Sequence, residues 1–424
     1  MSLLTRRALL GALPLAALGA ARAGEVNPDA PPPGLSADFD PVSALWLSQA
    51  PGHEALTEGL VDALHPHVRL VCLVADEEGA ARARALRSDL EVVIEPRASF
   101  FLRDVAVFTR EGDGGAGIVD FRATQYGAAA WCVKRHPPGP ERSACVDHAK
   151  AVAAERDGLD RALAQRLGAA LHRTPLAMEG GGIEVNGRGL VIANAALYGT
   201  RNPKLSLAEV ERELLRLPGL RKVIWLPDGL AEDVHLRATI TGPYVAWGSG
   251  GHSDQFVRFA DERTVLLAWP DEADARSHPV SRLTRVAMRR NHALLAAASD
   301  ERGRRLRVIK VPMPRIVQRR VVLDAEADLE RSESWRPDYF APAEGRAAGQ
   351  ALWQVATASY LNFVVANGAV VLPDYLPHGT PPERQERVRQ VFEAAFAGRQ
   401  VAFVDPISAN WVGGGLHCAT LNQP

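Results

Sequence analysis

Apolar and polar positions alternate in short runs punctuated by turn residues, and the same arrangement keeps returning along the chain. Residues 105–108 and 117–121 flank a Gly/Asp-rich turn, and 256–259 and 264–267 flank Asp261-Glu262-Arg263. Runs 182–185 and 189–192 flank Asn186-Gly187, while 360–366 and 369–372 flank Asn367-Gly368. Asn-Gly suits the two-residue connection of a β-hairpin. Upstream of most hairpins lies a helix-like segment and a short apolar strand. Residues 206–217 open with Ser206 three positions before Glu209, a capping-box spacing, and lead to the strand 222–226. Helix-like 281–298 precedes 306–311, and 382–397 precedes 401–404. The unit recurs about five times, and units that cannot bury their own apolar faces must pack around a common centre.

The residues that open the hairpins carry the chemistry. The first follows Arg103-Asp104, the second Met178-Glu179-Gly180-Gly181, and the third Gly250-Gly251-His252-Ser253-Asp254. The last unit ends in Gly413-Gly414-Gly415-Leu416-His417-Cys418. An ionisable group at the same place in each unit puts the whole set at one end of a shared axis. Three glycines leave the backbone before Cys418 open to a close approach. His417 is expected to satisfy a backbone carbonyl rather than to tune its neighbour. The short stretch after Cys418 is expected to pack close to the site.

Composition narrows the classes. The 424 residues are 47% hydrophobic and 23% charged, with a net charge of -1. That excludes a disordered chain and a strongly cationic nucleic-acid binder. Only five of the 49 basic residues are lysines, which reflects base composition rather than a functional charge pattern.

Residues 1–23 read as an export signal of twin-arginine type, with Arg6-Arg7, an apolar stretch to Ala20, and Ala21-Arg22-Ala23 as the cleavage site. The alternative is an uncleaved anchor. A Pro-rich linker, 24–37, and a single catalytic domain, 38–424, are expected to follow, in a periplasmic or secreted protein. No internal apolar run is long enough to cross a bilayer, so no membrane contact is expected after cleavage. In an oxidising compartment Cys132 and Cys145, at the ends of the loop 133–144, are either bridged or two free thiols. Cys72 reads as strand core. Cys418 is left without a structural task.

The inventory is then one thiol (Cys418), one imidazole (His252) and three carboxylates (Asp104, Glu179, Asp254). A metal site of His252, Asp254 and Cys418 lacks the usual ligand spacings. A hydrolase of neutral amides has little use for surplus carboxylates. Guanidinium, with five donors in a planar fork, suits them. Such a cation over the sulfur would also favour thiolate, since nearby positive charge lowers a cysteine pKa from about 8.5.

Arg103-Asp104, Glu179-Gly180-Gly181-Gly182, Arg201-Asn202-Pro203, Gly251-His252-Ser253-Asp254, Ala358-Ser359-Tyr360-Leu361-Asn362-Phe363 and the segment ending at Cys418 stand in an order that resembles agmatine deiminases and the related Porphyromonas-type peptidylarginine deiminases. The resemblance spans about residues 38–424. It implies an α/β fold, a five-bladed pseudo-symmetric propeller of helix-strand-hairpin units. It further implies that Cys418 attacks the guanidinium carbon, and that His252 protonates departing ammonia and then activates water. Asp104 and Asp254 would grip the guanidinium and Glu179 would orient His252. Phe101, Arg103, Asn362 and Gly415 would also bind substrate. No metal or organic cofactor is implied.

The expected partner is a cationic guanidino molecule or arginyl peptide, turned into a ureido compound and ammonia. Related enzymes are often dimers, so a homodimer is possible. Two motifs depart from the pattern. Phe101-Leu102-Arg103-Asp104-Val105-Ala106-Val107 stands where agmatine deiminases typically read Trp-x-Arg-Asp-x-Gly-Pro, and Trp247-Gly248-Ser249-Gly250-Gly251 replaces an acidic stretch. Both lie where a substrate's tail would be read, which leaves free or peptidyl arginine open beside agmatine. The same residues would also serve an amidinotransferase, which passes the amidino group to an amine, or a non-catalytic guanidino-binding protein.

Overall fold

Each hairpin read from the sequence gains a third strand parallel to its second, and this pattern occurs five times in the computed structural model, which describes residues 31–328, 331 and 333–424. In the first sheet Val107–Arg110 runs antiparallel to Ala116–Arg122, which runs parallel to Ala170–Ala177. The second combines Ile183–Val185, Leu190–Asn194 and Lys222–Leu226 in the same way. The third uses Val257–Phe259, Thr264–Trp269 and Arg307–Pro312. The fourth uses Val364–Val365, Ala369–Pro373 and Gln400–Val404. The fifth joins distant parts of the chain: Thr420–Gln423 lies antiparallel to Ala44–Ser48, which is followed in parallel by Leu70–Val74 and Glu91–Ile94.

Parallel neighbours need a crossover of a dozen or more residues, and helices supply it. Glu54–Leu64, Pro279–Ala297 and Pro382–Ala395 are such crossovers. The second strands are covered on both faces, which is why they read as unbroken apolar runs; Ala44–Ser48, Leu190–Asn194 and Ala369–Pro373 are buried at every position. The capping box forms as spaced: Ser206 accepts from Glu209 N, and Glu209 accepts from Ser206 N, at the start of Leu207–Leu214.

A sixth sheet was not legible as a repeat. His235–Thr241 and Tyr244–Ser249 form a hairpin that continues into Ala351–Val355 and Gln318–Val322. Its Tyr244–Ser249 strand delivers the chain to His252.

Several expectations are corrected. Asn367-Gly368 does make a two-residue turn, closed by Ala366 N on Ala369 O. Asn186-Gly187 does not: Asn186 N pairs with Leu190 O across Gly187, Arg188 and Gly189, and the Asn186 side chain accepts from Arg188 N and Leu190 N. Only Val364–Val365 of the run 360–366 is strand. The loop 133–144 is mostly helix, Ala128–Arg135 followed by Pro140–Arg156. The linker expected over 24–37 ends before residue 34, because Gly34–Leu35 pairs with Val107–Arg110 and Leu35 is buried. The export signal and residues 24–30 lie outside the described residues.

Cys132 and Cys145 are joined by a disulfide that ties the two helices together across 13 residues of sequence. Closing a loop of this length restricts the unfolded chain by roughly 3 kcal/mol. Cys145→Ser is therefore expected to lower the free energy of unfolding by about that amount. Urea titrations of the two proteins, with and without reductant, measure it; equal midpoints would refute the claim.

Candidate active site

The short antiparallel strand of each of the five sheets begins just after a chemically active side chain. Asp104 ends the 3-10 turn Leu102–Asp104 before Val107–Arg110, and Glu179 precedes the turn Gly180–Gly182 before Ile183–Val185. His252 caps the turn Ser253–Gln255, which contains Asp254, before Val257–Phe259. Asn362 precedes Val364–Val365, and Cys418 precedes Thr420–Gln423. The common position in the unit brings these groups together.

Gly181 marks the meeting point. A Cβ placed there would lie 2.6 Å from His252 Nδ1, 3.0 Å from Asp254 Oδ2 and 3.1 Å from Asp104 Oδ1. The absent side chain leaves the space on which these three groups converge. His252 Nε2 faces Glu179 Oε2 at 3.2 Å, and its Nδ1 lies 3.6 Å from Asp104 Oδ1. Nδ1 and Asp254 Oδ1 are buried with no hydrogen-bond partner among the described residues. Each is free to meet a ligand.

The electrostatics separate the groups. Burial raises the Glu179 pKa, but the Arg201 guanidinium and the His252 imidazole outweigh it and bring it to about 2. Burial also opposes charge on His252, yet Asp104, Glu179 and Asp254 together raise its pKa to about 9. The imidazole is thus a cation at neutral pH. Asp104 is pushed up to about 6 by burial and by Asp254 and Glu179, although His252 and the Tyr126 hydroxyl, which donates to Oδ2 at 2.8 Å, favour its charge. Burial raises the Asp254 pKa too, but His417, His252 and Arg258 prevail and lower it.

Cys418 is buried, and its thiol donates to Asp254 Oδ2 at 3.5 Å. The Asn362 amide donates to the sulfur at 3.3 Å and that of Gln255 at 3.8 Å. Burial, Asp254 and Asp104 raise the thiol pKa well above its ordinary value. A positive charge brought to this site would act in the opposite direction.

Four assignments change. The Arg103 side chain does not face the site; it pairs with Asp38 at 3.2 Å and donates to Asn422 Oδ1 at 2.8 Å, while its backbone N donates to Cys418 O. Asn362 and Gly415 shape the thiol rather than line a cavity. Asn362 Oδ1 accepts from His417 N at 2.9 Å, and a Cβ on Gly415 would collide with it. The other glycines serve packing as well: a Cβ on Gly413 would meet Gly248 Cα and one on Gly414 the Phe101 ring. The His417 ring satisfies no backbone carbonyl among the described residues. Its Nδ1 faces Asp254 Oδ2 at 2.8 Å and its Nε2 faces Asp38 Oδ2 at 2.7 Å.

Of the supporting residues the sequence reading named only Arg201, as part of a motif and without a role. Arg201 holds Glu179 through Nε and donates to Ser249 O. The buried Asp233 carboxylate accepts from the backbone N of Ser249, Gly250, Gly251 and His252 and from the Ser249 hydroxyl, fixing the approach to the histidine. Asp38 pairs with Arg258 at 2.7 Å. A Glu-Asp pair, Glu232-Asp233, just ahead of an unread strand was the available signal for one of them.

Two cavities adjoin Asp104. One of about 60 Å³ is also lined by Tyr126 and Glu179. The other, about 350 Å³, is lined by Phe100, Phe101, Tyr126, Leu236 and Trp247. Both departing motifs therefore border the larger cavity. His252, Asp254 and Cys418 line neither.

A fold of repeated sheets, each an antiparallel pair extended by a parallel strand, around a thiol, an imidazole and carboxylates defines a class of enzyme, and the comparisons agree with it. The chain belongs to the Porphyromonas-type peptidyl-arginine deiminase family, whose model it matches over residues 41–424. It is 30% identical over 358 residues to a candidate agmatine deiminase of Streptomyces coelicolor, covering 84% of each chain. It is 30% identical to the agmatine deiminase of Pseudomonas aeruginosa over 250 residues, 58% of this chain and 57% of that one. The solved agmatine deiminase of Enterococcus faecalis superposes with a TM-score of 0.69 at 20% identity, covering 92% of this chain and 96% of that one, and shares its mixed α/β fold.

If Glu179 helps hold the His252 cation, Glu179→Gln must lower the pKa of that imidazole. Histidine NMR across pH 5–10 is expected to show one ring titrating at about 9 in the parent protein and well below that in the variant. A ring that titrates identically in both would contradict the electrostatic account.

Proposed function

We propose that the protein is a guanidine iminohydrolase that turns a guanidino group into a ureido group with release of ammonia. One observation carries the reading: His252, Asp104 and Asp254 face a single point over Gly181, and Cys418 touches Asp254. A guanidinium there would give its N–H groups to Asp104 and to the unpartnered Asp254 Oδ1. Its charge offsets the two carboxylates that raise the thiol pKa, so the substrate itself promotes loss of the thiol proton, which passes to solvent because His252 already carries one.

The thiolate attacks the guanidinium carbon and forms a tetrahedral adduct. His252 Nδ1 protonates the departing nitrogen, the C–N bond breaks, and ammonia leaves an S-alkylthiouronium on Cys418. The neutral imidazole then takes a proton from water as its oxygen bonds to the same carbon. The C–S bond breaks, the oxygen releases its remaining proton to solvent as the ureido C=O forms, and the thiolate returns. Glu179, held by Arg201, keeps the imidazole oriented and basic enough to alternate between these tasks. The family relatives named as agmatine deiminases support this reaction type.

The five matching sheets are read as blades of one pseudo-symmetric α/β propeller, with the sixth sheet as an addition. Their common strand pattern and common placement of site residues support this. Residues 1–23 are read as a twin-arginine export signal and the mature protein as periplasmic, a compartment that suits the Cys132–Cys145 disulfide. N-terminal sequencing of the exported protein should find a start near Gly24; an intact Met1 would count against export with cleavage.

Colorimetric detection of ureido product across guanidino compounds, from agmatine to arginyl peptides, tests the reaction. Cys418→Ala and Cys418→Ser are expected to lose at least about a thousandfold in kcat. Turnover that survives either substitution would remove the nucleophile assignment.

A further inference from the structure

The larger cavity beside Asp104 has an uneven charge. Phe100, Phe101, Tyr126, Leu236 and Trp247 give it aromatic and apolar walls, and Ser99, Gln125 and Ser249 add neutral polar groups. Asp104 is its one carboxylate and Arg156 its one cation among the described residues. Asp104 already turns one oxygen to Tyr126 and the other towards the point over Gly181. Nothing in this lining is left to pair with a second positive charge. Arg156 ends the helix Pro140–Arg156, is exposed, and makes no side-chain hydrogen bond or ion pair with any described residue. It borders the smaller cavity as well, so it stands at the junction of the two. Asp157 and Asp160 line the smaller of these two cavities and not the larger, and Asp157 is held by Arg161 at 2.5 Å.

On the reading that the guanidinium sits at Asp104 and Asp254, we infer that the substrate's far end carries a carboxylate received by Arg156, so that the preferred class is an ω-guanidino carboxylate rather than a guanidino amine. A guanidinium pairs with carboxylate through two parallel N–H···O bonds, which an ammonium tail cannot accept and whose charge it opposes. The methylene chain between the two ends lies against Phe101, Tyr126 and Trp247. An ammonium in the same place would meet Arg156 without a compensating acid. Selectivity here comes from repulsion of the wrong tail as much as from attraction of the right one.

The discriminating measurement compares agmatine with 4-guanidinobutyrate, which share a four-carbon chain and differ in the sign of the terminal charge. Ureido product is followed for both with the full protein and with Arg156→Gln and Arg156→Glu. The parent protein is expected to favour 4-guanidinobutyrate by about tenfold or more in kcat/KM. That ratio should fall towards one in Arg156→Gln, invert in Arg156→Glu, and shrink with added salt, as an exposed charge pair requires. Equal or better turnover of agmatine by the parent protein, or a ratio that ignores both substitutions, would overturn the inference while leaving the hydrolase reading intact. No ureido product from either compound, arginine or arginyl peptides would overturn the hydrolase reading, and the inference with it.

Discussion

The pairing of Arg201 with Glu179 is the interaction on which the site rests. A carboxylate at full burial would normally take a proton, and a neutral Glu179 would no longer favour charge on His252. The guanidinium, itself buried and anchored on Ser249 O, keeps the carboxylate ionised. From there the charge order follows outward: a cationic imidazole, an Asp104 whose pKa is raised, an ionised Asp254 and a thiol held neutral by burial and by both aspartates. Removing one partner of such a buried pair leaves an uncompensated charge, which costs far more than the intact pair contributes to stability.

A second layer keeps the geometry. Asp38 lies between Arg103, Arg258 and His417, and His417 in turn meets Asp254. Burial disfavours its charge, but these three partners hold its carboxyl well below the usual range. The contacts turn Asp254 so that one oxygen is occupied and the other stays open. Asp233 does the corresponding work for His252 by gathering four consecutive backbone N–H groups, a task well suited to an anion because Gly250 and Gly251 take positive φ. The active groups are thus mounted on ion pairs and backbone amides, and the sheets supply the frame.

Hairpins and active groups were legible in the sequence because turn residues and repeat position are local signals. Glu179, His252 and Asp254 could be picked out since each stands at the mouth of a recognisable hairpin, and Cys418 because three glycines precede it and no structural task claims it. The support was not. Asp38 reaches His417 across 379 positions and Arg258 across 220, and no local pattern records such pairings. The strand His235–Thr241 is largely half-buried and has Leu236 at φ 54 as its second residue, so it lacks the clean alternation that marks a strand. Arg103 was misread because a dipeptide does not reveal which side chain faces inward; the 3-10 turn sends its side chain to Asp38 and Asp104 to the histidine.

Thr420–Gln423 sits beside Ala44–Ser48, so the segment that carries the sulfur docks against one made almost four hundred positions earlier. Contacts of such span form late, since closing the intervening length costs entropy before any pairing repays it. A partly folded chain would therefore hold its acids and imidazole without a nucleophile among them. Competence arrives only when the circuit of strands closes, and until then the reactive sulfur has no neighbours to awaken it.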